Sequence, residues 1–175
     1  QLYDRGNEII RDYGAARFLN IEAKEGGRYL PENTSWAKST IAHNTIVVDE
    51  RSHFDGKLEV ANTRWPTQLY FSDDPTFPIS SARIDTAYDG VTLRRTLLMP
   101  EIDGLEAPLV FDLVEATSAA PHLYDLPLHY NGHIIDFDFE VKSYTDQRPV
   151  LGKANGYQHI WVDAQGQSSN GQGAV

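Results

Sequence analysis

Cysteine is absent from this chain of 175 residues, which removes disulfide staples, thiolate metal sites and cysteine nucleophiles together. Basic residues are scarce: 15 Lys and Arg stand against 25 Asp and Glu, a formal charge of −10. A sequence-independent grip on DNA or RNA needs clustered cations that release counterions from phosphates, so nucleic acid is not expected as a partner. The same charge repels a polyanionic sugar at long range, and an acidic ligand must therefore be held by a local cationic pocket. No apolar run reaches the roughly 20 residues needed to cross a bilayer. The opening QLYDRGNEII has neither the basic stretch nor the apolar stretch of a signal peptide, and no membrane span is expected.

What is present is enough for one core. A hydrophobic fraction of 41% offsets the entropy of ordering the chain, and the length suits a single domain. The first residue is not Met and the last stretch, AQGQSSNGQGAV, is polar with no capping strand, so the chain reads as a fragment.

From about Ile46 the pattern is that of strands. TIVVD, LEVAN, QLYFS, VTLRRTLLM, PLVFDLV, IIDFDFEV and YQHIWVDA are short apolar or alternating runs, parted by FDGK, YDGV, IDGL, YNGH and ANGY, in which Gly or Asn accepts positive φ. Ile135 to Val141 alternates most cleanly, with Ile135, Phe137, Phe139 and Val141 on one face and Asp136, Asp138 and Glu140 on the other. IDGL, between Arg95–Met99 and Leu109–Val114, is the best hairpin. The first thirty residues fit either a short helix or strands broken at Gly6 and Gly14. Strands this close together leave little room for crossover helices, so the fold class is all-β, an antiparallel sandwich.

STIAHNTIVVDE, Ser39 to Glu50, sets His43 and Asn44 directly before an apolar run. Two uses suit them. They can bond backbone groups where a loop enters a sheet, or they can face a substrate.

GGRYLPENTSWAKSTIAHNTIVVDERSHFDG, followed in order by AYDGVTLRRTLLMP, LVFDLVEA and HLYDLPLHYNG, resembles the C-terminal β-sandwich of the heparinase II/III-like polysaccharide lyases. That family includes heparin and heparan lyases and oligo-alginate lyases. The resemblance implies residues 1–32 as a lead-in and junction to an N-terminal α/α toroid, and residues 33–175 as the sandwich, truncated at its C-terminus. It implies a periplasmic or secreted enzyme that cleaves an acidic, uronate-containing polysaccharide or oligosaccharide by β-elimination in a cleft between toroid and sandwich. The toroid supplies the family's usual Tyr, Asn and His, so this stretch alone is expected to be inactive. The alternative is a non-catalytic carbohydrate-binding or scaffold module, because a sandwich by itself implies no reaction.

Elimination across C4–C5 of a uronate needs its carboxylate neutralised, a base for the C5 proton and an acid for the leaving oxygen. On the resemblance, His43 is the catalytic candidate, with Asn44, Arg51 and Trp36 as substrate-binding candidates. Arg28 and Lys38 are further cations near the motif, and Tyr13 and Arg17 lie in a loop-like stretch. Trp65 and Tyr13 are expected to anchor loops to the core. The family's structural zinc draws on the HNT histidine, a nearby Asp and a His before the Arg pair. Leu93 occupies that last position and cannot ligate, so no metal or other cofactor is expected. His53, His129 and His133 lack convincing ligand spacing. Arg94 and Arg95 point to opposite faces, and the expectation is a buried ion pair of one with a carboxylate such as Asp112, beside a solvent-exposed neighbour. His122, Tyr124, Asp125 and His129 form either a structural network near Pro127 or a cleft rim.

Overall fold

The computed structural model describes residues 1–12, 14 and 30–167. Tyr13, Arg17 and Arg28 lie outside the described residues. The chain is all-β: among the described residues every ladder is antiparallel and the helical turns are short. It divides into two compact units, Gln1–Thr45 with Leu126–Val175, and Ile46–Asp125.

In the second unit a four-stranded sheet runs β4 (Thr67–Ser72), β5 (Ile79–Tyr88), β6 (Val91–Leu98), β7 (Phe111–Ser118) in sequence order. Asp89 and Gly90 close β5 onto β6, with Gly90 at φ +71° and Tyr88 opposite Val91. Alternation along β6 turns Val91 and Leu93 inward, where they pack with Ile46, Val48, Ala87 and Tyr88. Val48 lies in the short strand β3 (Val47–Val48), which pairs with β8 (Tyr124–Asp125). This ribbon covers one face of the sheet, giving the two layers of a sandwich. On the other face Ser81 and Thr96 stand directly opposite and share a buried 2.7 Å hydrogen bond.

In the first unit, β1 (Leu2–Asp4) and β2 (Asn7–Ile10) form a hairpin. Its turn residues Arg5 and Gly6 have φ of +48° and +82°, the left-handed pair that suits a two-residue connection. Strand pairing thus takes the place of the helix that the first residues could equally have formed. A π-helical turn, Asn33–Ala37, and a 3-10 turn, Thr40–Ala42, lead into His43. β9 (Val141–Ser143) pairs with β10 (Ala164–Gly166).

Several segments differ from the sequence pattern. Leu58–Ala61 of LEVAN is a helical turn, α1, whose Ala61 N–H bonds Lys57 O at 3.0 Å; a four-residue apolar run carries too little periodicity to separate helix from strand. β5 carries no clear strand signature in the sequence because Ser80, Ser81 and Asp85 dilute its apolar pattern. Residues 135–140 form no strand despite their alternation, and Ile135 is 97% exposed. Pattern supplies a face, but a ladder also needs a neighbour, and none of the described residues pairs with this stretch. YQHIWVDA resolves into a 3-10 turn at Tyr157–His159, with Tyr157 buried, and β10 starts only at Ala164. Trp65 is 77% exposed and anchors nothing.

Candidate functional site

The site builds outward from the turn before His43. Ser39, Thr40, Ile41 and Ala42 are buried, and His43 N–H bonds Thr40 O at 3.0 Å, so the backbone delivers the imidazole from a fixed base. The ring is half-buried and held at both ends. Nε2 lies 2.9 Å from Ala37 O, and Nδ1 lies 3.1 Å from each oxygen of Asp12. A carbonyl only accepts, so Nε2 carries a proton. Asp12 is itself tied down: the Gly14 N–H donates to Oδ1 at 3.0 Å. Partial burial pushes the Asp12 carboxyl up, but the Gly14 bond and the His43 ring outweigh it and hold the group below the usual carboxylate range.

Asn44 ties two backbones together. Nδ2 donates to Arg11 O at 2.7 Å, and Oδ1 accepts from the His129 N–H at 2.5 Å. His129 in turn sets Nε2 2.8 Å from Ile41 O, returning to the same turn. Trp36 is half-buried, with its ring edge-on to His129 at 6.0 Å and to His159 at 6.3 Å. Of the four candidates, Trp36, His43 and Asn44 therefore belong to one cluster in the first unit. Arg51 belongs to the second unit, where it is exposed and paired with Asp55. Asp12 was not among the sequence candidates; a lone Asp 31 residues before the histidine offers no spacing signal.

The heparinase II/III-like C-terminal domain family matches residues 1–173. The chain belongs to this family. An alginate lyase of Stenotrophomonas maltophilia (strain K279a) is 51% identical over 162 residues, covering 93% of this chain and 22% of the relative. An exo-oligoalginate lyase of Saccharophagus degradans (strain 2-40) is 50% identical over 161 residues, covering 92% of this chain and 22% of the relative. The chain thus spans about a fifth of the length of the curated relatives it matches.

Other polar candidates of this heparinase II/III-like domain are committed to neighbours. Arg95 pairs with Asp112 as expected, though the pair is partly exposed rather than buried, and Arg94 meets Glu115 directly across the ladder at 3.4 Å. His53 sets Nε2 3.1 Å from Ile46 O and lies edge-on to Tyr88 at 5.0 Å. His122 Nδ1 lies 2.7 Å from Asp49 Oδ2, while Asp49 Oδ1 accepts the Leu123 N–H at 3.0 Å. Tyr124 Oη lies 2.8 Å from Ser118 Oγ, so the HLYD segment is tied into the second unit. Leu93 is 6% exposed in the apolar core. Among the described residues, no group of three His, Asp or Glu side chains is placed to hold a metal, and no helix is long and apolar enough to cross a membrane. The first unit also carries an open groove of about 820 Å³, lined by Phe137, Phe139, Val141, Leu151 and Trp161. Its lining is mostly apolar, without the convergent charges an acidic sugar would require.

Proposed function

We propose that this chain is the β-sandwich portion of a polysaccharide lyase that cleaves uronate-containing chains, alginate-type oligosaccharides first, by β-elimination. The observation that carries the reading is the half-identity to two alginate lyases across more than nine-tenths of the chain. The reaction is redox-neutral: the C5–H and C4–O bonds break, a C4=C5 double bond forms, and the leaving oxygen takes a proton. It needs no co-reactant. In this reading the sandwich forms one wall of a cleft whose other wall is an N-terminal α/α toroid of the longer protein, and the protein works in the periplasm or outside the cell. The isolated chain is inactive because the groups that move the protons lie in the toroid.

His43 is the proposed contact to the uronate carboxylate, its Nε2–H passing from Ala37 O to the incoming oxygen. Asn44 holds the turn that presents it, and Trp36 offers an edge for a sugar ring. Arg51 would have to leave Asp55 to serve a substrate. The family's zinc does not fit here, since Leu93 lies in the apolar core and both His43 nitrogens already have partners. We therefore assign no cofactor. The double engagement of His43 also supports a second reading, a carbohydrate-binding or scaffold module in which the histidine only braces its loop.

The deciding experiment incubates the full-length protein and its His43→Ala variant with alginate, heparin and heparan oligosaccharides and follows absorbance of the unsaturated uronate product. Turnover on alginate by the wild type, lost in a still-folded variant, supports the lyase. Silence across the panel leaves the binding module.

A further inference from the structure

We propose that the face of the four-stranded sheet turned away from its apolar core is a sugar-binding surface, on which Arg83 and Arg94 together hold a carboxylate of an acidic oligosaccharide. The choice of a uronate chain as occupant rests on the lyase reading above.

Arg83 and Arg94 stand directly opposite each other across β5 and β6. Like charges so placed repel, and sheets ordinarily avoid the pairing. Each side chain is 48% exposed and has one carboxylate at long range: Arg83 Nη2 lies 3.6 Å from Asp85 Oδ2, and Arg94 Nε lies 3.4 Å from Glu115 Oε2. Arg95, on the opposite face of the same strand, shows the contrast, with Nε and Nη2 both on Asp112 at 2.8 and 2.6 Å. Ion pairs as loose as those of Arg83 and Arg94 are screened by water and give way to a better-placed anion. A carboxylate lying between the two guanidiniums meets a donor fork from either side and removes their mutual repulsion. The chain has a formal charge of −10, so an acidic ligand needs such a local concentration of cations.

The surroundings suit a sugar. Tyr70 of β4 stands opposite Ser81 on this face and is 56% exposed, which offers its ring to the apolar side of a pyranose. Arg94 Nε lies 3.5 Å from Ser81 Oγ, so ring and guanidinium flank the same serine. They are two strands apart, on the order of 10 Å, a reach that a short oligosaccharide covers. Arg83, Asp85, Arg94 and Glu115 keep this face wet, because burying four charges under another apolar layer carries a large desolvation cost.

The test titrates alginate oligosaccharides into the full-length protein by calorimetry, in a His43→Ala background so that turnover does not consume the ligand. Arg83→Gln combined with Arg94→Gln should weaken binding about fivefold or more. Asp85→Asn combined with Glu115→Gln removes the competing carboxylates and should tighten binding about threefold, a gain that a purely structural role for these residues does not produce. This second variant also carries the test if the arginine variant does not fold. Unchanged affinity in the folded variants, or equal affinity for a neutral glucan oligosaccharide, overturns the surface. A protein that binds alginate through these arginines while its wild type turns over none of the uronate substrates overturns the lyase reading alone, so the two failures are distinct.

Discussion

Arg95 grips Asp112 through two hydrogen bonds, Nε to Oδ1 at 2.8 Å and Nη2 to Oδ2 at 2.6 Å, on the diagonal between β6 and β7. The two side chains are 34% and 32% exposed, so solvent screens much of the Coulomb attraction. What remains specific is the planar fork. Arg95→Lys keeps the charge and loses the second bond, and should lower stability by about 0.5–1 kcal/mol in urea melts, less at high salt. An effect as large in 1 M salt as in low salt would show that packing of the side-chain stem, not the ion pair, matters.

Acid should act partly through Asp49. Its pKa lies below the ordinary carboxylate value because His122 and then the Leu123 N–H bond it, against a small opposing desolvation. A depressed folded pKa means that the unfolded chain binds the proton more readily. The stabilisation is therefore complete above the unfolded value of about 3.9 and is lost as pH falls through the folded one. Urea midpoints of Asp49→Asn should consequently change less between pH 5 and pH 2 than those of the wild type. Parallel curves would remove Asp49 from the acid transition.

Gly156 has φ of +95°, and a Cβ placed on it would come within 2.5 Å of Ile41 Cγ2 and 2.9 Å of Ser39 Cβ. Ser39 and Ile41 belong to the buried turn that delivers His43. Gly156→Ala combines left-handed strain with overpacking and should cost about 2–4 kcal/mol. It should also lower turnover in the full-length protein, a coupling that a remote glycine in open space would not produce. Gly90, with nothing within 4 Å, is the control.

Asp49 and Glu50 form the turn between Val48 and Arg51, with φ of +52° and +55°. Neither is glycine, the residue such left-handed positions favour. Glu50→Gly should raise stability by about 1 kcal/mol by relieving the Cβ conflict, measured as a higher urea midpoint. A drop would mean that the Glu50 side chain contributes more than its backbone strain costs.

Sequence pattern located the sheet better than the site. VTLRRTLLM and PLVFDLV became neighbouring strands because both alternate and a turn separates them, information carried within a few residues. Ile135–Val141 alternates as well, yet a strand also requires a partner from elsewhere, and that is not a local property. The motif at His43 named a histidine and an asparagine correctly as polar residues at a loop, and the structure adds what they touch. Asn44 reaches a backbone 85 residues away at His129, and His43 reaches Asp12 across 31 residues. Such contacts leave no spacing in the chain, so Asp12 became visible only once the backbone had folded.

Residues 134–140 remain outside any ladder, with Ile134 and Ile135 more than half exposed. A period-two apolar stretch outside a ladder is in general a template on which another copy can add a strand, the first step of aggregation, and here the Phe137 N–H is instead turned onto Asp136 Oδ1 at 2.9 Å. Asp136, Asp138 and Glu140 place a negative charge at every second position, so a second copy stacking in register would set like charges against each other. Acidic side chains so spaced are the pattern of gatekeepers, which oppose pairing of the stretch with a copy of itself.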